Sequence, residues 1–195
     1  MLTVKQILSN SAEVTRLNAR IRETYLLRDQ SPEHRAQWQR ACADFNARFD
    51  SLAFPQGREA SLSQLNEDVE ALTSAVRFLL ADPYHFRSGY FKELLWNRIR
   101  QCEVPPSLVD SLERAAMRYL ERRISREFWS MCKTMSRLGR SAFWCRVSSR
   151  AQMTGTPEAG RALYLLTYGA DIHAGAELRR SIKRRVTIER RKRTR

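Results

Sequence analysis

The stretch RRSIKRRVTIERRKRTR, residues 179–195, holds ten basic residues and one acidic residue. Side chains of this kind attract phosphate groups through charge and counterion release, largely without regard to base sequence. The alternative is a solvated, frayed chain end, since termini are often disordered. The residues predicted here to contact a polyanion are Arg180, Lys183, Arg184, Arg185, Arg190, Arg191, Lys192 and Arg193.

A second basic segment, residues 114–150, holds ten basic and two acidic residues. Its predicted contact residues recur near every fourth position, namely Arg114, Arg118, Arg122, Arg126 and Lys133. On a helix this spacing places a ridge of positive charge along one flank, beside the apolar stripe. The ridge is either a groove for phosphate or an acidic partner, or a solvated face partly neutralised by Glu113, Glu121 and Glu127.

Two tryptophans, Trp129 and Trp144, lie within this second basic segment. Aromatic rings between arginines suit stacking on single-stranded bases. Tryptophans at apolar helical spacing are equally typical of a packed core. Both interpretations are open from the sequence.

The stretch DPYHFRSGYFKELLW, residues 82–96, is dense in amphipathic side chains. The candidate pocket residues are Tyr84, His85, Arg87, Tyr90 and Lys92. A helix that starts at Ser88 presents free N–H groups beside these cations, which favours anions. The alternative is a structural corner, in which Asp82–Pro83 ends one helix and Ser88 caps the next.

Catalytic and metal-binding patterns are missing from the sequence. The three histidines, His34, His85 and His173, stand far apart, and no HExxH motif, phosphate-binding glycine loop or GxSxG elbow occurs. Enzymatic activity is therefore left open, a non-enzymatic protein is favoured, and no cofactor or metal is predicted.

The net charge of +14 comes entirely from residues 114–150 and 179–195, because the remainder of the chain is slightly acidic. No apolar run reaches the roughly 18 residues of a membrane span, and we expect neither a signal peptide nor a membrane partner. Four cysteines without a CxxC pair indicate reduced thiols and a cytoplasmic protein.

Helix signals dominate the chain, and strand signals are nearly absent. Capping patterns predict helices from NSAE at 10–13 and from SPEH at 31–34. Apolar spacing predicts further helices over about 61–81 and from Ser88 to about residue 102. A long pattern from Ser107 to Leu138 is either one helix or two with a break near 122–125.

Later helices are predicted over about 141–151 and 157–168, and a last one from about residue 174. The fold class is therefore all-α, with seven to eight antiparallel amphipathic helices in a bundle or a HEAT-like stack. The predicted organisation is one domain over residues 1–178 with a basic tail over 179–195.

The functional hypothesis is a non-enzymatic helical protein that contacts a polyanion, above all nucleic acid, through the basic tail and the 114–150 ridge. One alternative is a helical scaffold that docks a protein with an acidic surface. Another is a binder of a small ligand or anion centred on residues 84–92.

Overall fold

A computed structural model describes residues 1–54, 60–153 and 155–169, and every regular element in these ranges is an α-helix. The helices are α1 (Val4–Leu27), α2 (Pro32–Ala53), α3 (Ala60–Ser63), α4 (Val69–Ala81), α5 (Ser88–Ile99), α6 (Pro106–Glu121), α7 (Glu127–Leu138), α8 (Ser141–Ala151) and α9 (Pro157–Gly169). Eight of these have 11 to 24 residues and α3 is a single turn. The all-α prediction with seven to eight amphipathic helices is confirmed.

The chain divides into two compact helical units, with the boundary inside α6. Unit 1 comprises residues 1–115 and unit 2 begins at residue 116. The predicted single domain over 1–178 stays a prediction. The basic tail and the helix expected from residue 174 lie outside the described residues.

The first helix begins earlier than its predicted capping pattern. Thr3 caps α1, with its hydroxyl accepting from the Gln6 backbone N–H while the Gln6 side chain accepts from the Thr3 backbone. Ser11, inside the predicted cap, is instead buried, and its hydroxyl donates to the Tyr84 carbonyl at 3.1 Å. The prediction of a start at 10–13 was wrong because Thr3 and Gln6 form an equivalent capping box about two turns upstream.

The second helix begins where the sequence predicted, with Ser31 as cap and Pro32 at the first helical position. A short connection after α1 lets α2 run back along it as a helical hairpin. Val14, Leu17 and Phe45 form the buried seam of this hairpin. Unit 1 therefore contains a helix pair held by a narrow apolar core.

The helix predicted over 61–81 is divided. The single turn α3 is followed by a separate α4, whose first turn is capped by the Asp68 side chain at 2.7 Å from the Glu70 backbone nitrogen. The predicted end at Asp82 is confirmed, with Asp82 in a left-handed conformation at φ 51°. Leu72, Leu79 and other α4 side chains are buried, so this helix supplies much of the core of unit 1.

The long pattern from Ser107 forms two helices, α6 and α7, separated at 122–126. At the end of α6, Arg161 donates from Nε to the Leu120 carbonyl at 2.6 Å, which satisfies a carbonyl that the helix leaves open. The helices expected over about 141–151 and 157–168 are present as α8 and α9. In unit 2, α9 packs against both α7 and α8.

Within the described residues, no helix is both long and apolar enough to cross a membrane.

Candidate functional sites

Unit 2 carries a large excess of positive charge in its described part. Residues 116–153 and 155–169 contain ten basic and three acidic residues, a net charge of +7. The three acids are Glu121, Glu127 and Glu158, and each lies in an ion pair with an arginine of the same unit. Because ten basic residues outnumber three acidic ones, a positive excess remains whichever ion pairs form among these residues.

One pair joins the end of α6 to the start of α7. Arg122 donates from Nη2 to Oε1 of the buried Glu127 at 3.2 Å. Its guanidinium also lies over the Tyr119 ring, 3.7 Å from the centroid, in a cation–π contact. The structure thus places Arg122, a predicted phosphate contact, in an internal interaction that holds the break between the two helices.

Arg150 forms ion pairs with the other two acidic residues, Glu158 and Glu121. It lies 2.7 Å from Glu158 and 3.8 Å from Glu121. Arg161 is half-buried, and burial lowers the pKa of its guanidinium while Glu158 opposes the change. Arg122, Arg150 and Arg161 are accordingly three structural cations in the described part of unit 2.

The seven other cations of the described part of unit 2 are exposed. They are Arg118, Arg123, Arg126, Lys133, Arg137, Arg140 and Arg146. Three of them, Arg126, Lys133 and Arg137, share one side of α7 because seven residues and then four separate them. We call these three the α7 cation face; it extends about 16 Å along the helix.

The predicted basic residues thus have different environments. Arg118, Arg126 and Lys133 are exposed in unit 2, whereas Arg122 is held internally. Arg114 is exposed at the end of unit 1 and donates to the Ser111 hydroxyl at 3.1 Å. The predicted tail contacts Arg180, Lys183, Arg184, Arg185, Arg190, Arg191, Lys192 and Arg193 lie outside the described residues. In the sequence, Arg137 continues the basic run one helical turn beyond Lys133, although it is not among the predicted contact residues.

A second candidate site lies in unit 1, beside the start of α5. This corner pocket has a volume of about 660 Å³. Its lining comprises Phe49, Asp50, Phe54, Phe86, Arg87, Tyr90, Phe91 and Leu94. The wall is thus predominantly aromatic, with one guanidinium and one carboxylate, the combination expected of a pocket for an apolar ligand that carries charge.

Arg87 occupies an unusual backbone conformation in this pocket. Its φ of 62° and ψ of 4° lie in the left-handed region, which costs free energy for any residue with a Cβ. Its guanidinium carbon lies 5.0 Å from the centroid of the neighbouring Phe86 ring. Neither Arg87 nor Asp50 has an ion-pair partner among the described residues.

The five residues predicted to form the pocket have different positions in the structure. Of the five candidates, Arg87 and Tyr90 line the pocket. Lys92 is 1% exposed and its ammonium donates to Asp82 at 2.8 Å and to the Pro83 carbonyl at 2.9 Å. This ion pair joins the end of α4 to α5, so Lys92 is a structural residue in this arrangement.

Tyr84 and His85 form the connection between α4 and α5. The Tyr84 side chain is 87% exposed and its carbonyl accepts from Ser11. Burial lowers the pKa of His85, and a contact of 3.0 Å between Nδ1 and the Phe86 carbonyl opposes that shift. Ser88 was predicted to cap α5, but its hydroxyl accepts from the His85 N–H at 3.1 Å, inside the connection that precedes the helix.

Three pocket residues that sequence reasoning did not connect with the 82–96 stretch come from the end of α2 and the residue that follows it. Phe49, Asp50 and Phe54 precede the 82–96 stretch by about thirty residues. No local signal in the sequence indicates that Asp50 lies near a residue of α5. The end of α2 and the start of α5 form one pocket only because the fold brings together two segments that are distant in the sequence.

No group of three or more His, Cys, Asp or Glu side chains suited to a metal occurs in the described residues. The buried Cys132 has its thiol pKa raised by desolvation, which keeps it protonated and unreactive.

Comparison with protein-family models, with characterised proteins and with solved structures found no match to this chain.

Proposed function

We propose that this protein is non-enzymatic and binds nucleic acid through the exposed cations of unit 2 together with the basic segment 179–195. One observation carries the proposal: the described part of unit 2 has a net charge of +7, and seven of its ten cations are exposed. A surface of this charge attracts polyanions and releases their counterions.

The exposed position of these cations supports the proposal. A cation inside the fold is satisfied by its neighbours, as Lys92 is by Asp82. The three side chains of the α7 cation face are exposed, and their charges are spaced along about 16 Å of helix, a length over which a nucleic acid strand presents several phosphates.

The test is a comparison of two triple variants in the full chain. Arg126→Gln, Lys133→Gln and Arg137→Gln together remove the α7 cation face. Arg20→Gln, Arg22→Gln and Arg40→Gln together remove the same charge from exposed positions in unit 1. Binding to a labelled 30-base-pair duplex is measured by fluorescence anisotropy, and helical content by circular dichroism.

We expect the α7 variant to bind at least about tenfold more weakly than the unit 1 variant, because local phosphate contacts are lost as well as net charge. Deleting 179–195 should weaken binding further. Equal affinities for the two variants would contradict the proposed surface, and lack of binding by the unsubstituted chain at low salt would contradict nucleic-acid binding altogether. In that case an acidic protein surface becomes the partner to seek.

The cytoplasm is the proposed compartment. All four cysteines are free, and Cys102 and Cys132 are buried. This cysteine usage is typical of a reducing environment.

The corner pocket supports a second candidate function, the binding of a small organic ligand with an aromatic body and an anionic group. The guanidinium of Arg87, which has no ion-pair partner among the described residues, would contact the anion, and the rings of Phe86 and Tyr90 would contact the aromatic body. Because Asp50 lies on the same lining, inorganic phosphate alone is not expected to bind.

Arg87→Gly tests this candidate, because glycine adopts the left-handed conformation without strain. The variant should keep or gain stability, by about 1 kcal/mol, while losing affinity for an aromatic anion. Anilinonaphthalene sulfonate fluorescence is the binding measurement and thermal unfolding the stability measurement. Unchanged dye affinity in Arg87→Gly would reject the site. Arg100→Gly, at the opposite end of the same helix, cannot replace this variant because the φ of Arg100, −58°, is helical.

A further inference from the structure

The aromatic side chains of unit 2 decide which form of nucleic acid its basic surface suits. Proteins that hold single strands combine a basic groove with exposed rings on which successive bases stack. Proteins that hold a duplex without reading its bases need cations that reach the phosphates. The two cases differ in whether aromatic rings are available beside the cations.

Unit 2 contains seven aromatic residues, and all of them lie in the described part of the chain. They are Tyr119, Phe128, Trp129, Phe143, Trp144, Tyr164 and Tyr168, and each is buried or half-buried. Residues 170–195 contain no Phe, Trp or Tyr. The basic segment at the C-terminus therefore brings no ring of its own.

Trp129 is engaged in the packing of α7 against α9. Its ring centroid lies 4.7 Å from that of Tyr164 and 5.3 Å from that of Phe128, both in edge-on arrangements. Tyr164 and Phe128 are fully buried. A base that stacked on Trp129 would have to displace this core cluster.

Trp144 also packs against residues of its own unit. Its indole N–H donates to the Gly139 carbonyl at 3.0 Å, and its ring lies 5.0 Å from Phe143. A Cβ atom at Gly169 would come within 2.9 Å of the Trp144 ring, so α9 approaches the indole closely at a residue without a side chain. Trp144 is thus covered by α9.

The exposed side chains beside the cations offer no aromatic substitute. The large apolar side chains exposed in the described part of unit 2 are Met153 and Leu163, and neither is aromatic. We infer that the basic surface of unit 2 binds duplex nucleic acid through its phosphates and does not stack on bases, so that it prefers a duplex to a single strand. This inference rests on the proposed function and specifies its ligand.

The higher charge density of a duplex sets the expected size of the preference. Each phosphate contact releases about 0.9 counterion from B-form DNA and about 0.7 from a single strand. For about seven contacts in roughly 0.1 M salt, this difference favours the duplex by at least about tenfold.

The experiment uses the full chain and four labelled probes of equal length: a DNA duplex, an RNA duplex, a mixed-sequence single strand and a single strand whose central half is abasic. Affinities are measured by anisotropy at one salt concentration. We expect both duplexes to bind about tenfold tighter than the single strand, and the abasic strand to match the intact strand within about twofold, since stacking contributes nothing.

The outcomes separate this inference from the function on which it rests. An intact single strand that binds as tightly as the duplex, or at least fivefold tighter than its abasic counterpart, overturns the inference while nucleic-acid binding stands. Failure of all four probes to bind at low salt overturns both.

Discussion

At the scale of single residues, burial decides whether a lysine stabilises the fold or is available to a ligand. Lys92 and Lys133 are both helical lysines in basic or amphipathic sequence, yet one is 1% exposed and paired with Asp82 while the other is exposed. The sequence identified both as candidate anion contacts. Burial could not be inferred for Lys92, because it depends on Asp82 adopting a left-handed conformation that turns its carboxylate back toward α5.

Replacing Lys92 should therefore affect stability. We expect Lys92→Ala to lower the free energy of unfolding by about 3 kcal/mol, because the half-buried carboxylate of Asp82 and the Pro83 carbonyl lose their donor. Urea unfolding followed by circular dichroism measures the change. Lys5→Ala, at an exposed position of α1, is the control and should change stability by less than about 0.5 kcal/mol. A similar small change in both variants would show that the buried pair does not hold the corner.

At the scale of elements, the helical pattern was predictable and the connections were less so. Helices α2 and α9 begin at the predicted positions, because Ser31, Pro32 and Pro157 are strong local start signals. The α1 start and the division between α3 and α4 were missed, since an equivalent capping box at Thr3 and a cap at Asp68 compete with the predicted signals. Apolar spacing gives no means of ranking such competing caps.

The α1–α2 hairpin contains an ion cluster whose effect depends on pH. Arg16 donates to Glu13 at 2.7 Å and Arg48 of α2 lies 2.9 Å from the same carboxyl group. The hydrogen bond from Arg16, followed by the charges of Arg16 and Arg48, lowers the pKa of Glu13 from 4.5 to about 2 despite an opposing desolvation effect.

Because the folded pKa of Glu13 is below the unfolded value, its stabilising effect is complete above pH 4.5 and is lost as the pH falls toward 2. We expect Glu13→Gln to lower the melting temperature at pH 6, and the difference from the unsubstituted chain to shrink steadily and vanish near pH 2. Thermal scans of both proteins over this range measure the difference. A difference that does not change with pH would show that ionisation of Glu13 is irrelevant to the hairpin.

At the scale of the whole molecule, the uneven charge of the sequence is retained in the structure. Residues 1–113 are almost neutral, whereas the described part of unit 2 has a net charge of +7. The position of this charge along the chain was evident from the sequence. Its division into three structural cations and seven exposed ones was not, because that division follows from contacts such as Arg150 with Glu158, between separate helices.

The salt dependence of nucleic-acid binding tests the central claim most directly. The logarithm of the affinity of the full chain for duplex DNA, plotted against the logarithm of salt concentration, should be a steep straight line. The variant that lacks the α7 cation face should give a slope smaller by about 2.7, since three phosphate contacts at about 0.9 each are removed. An identical slope for the variant and the unsubstituted chain, or the lack of any binding at low salt, would contradict the account.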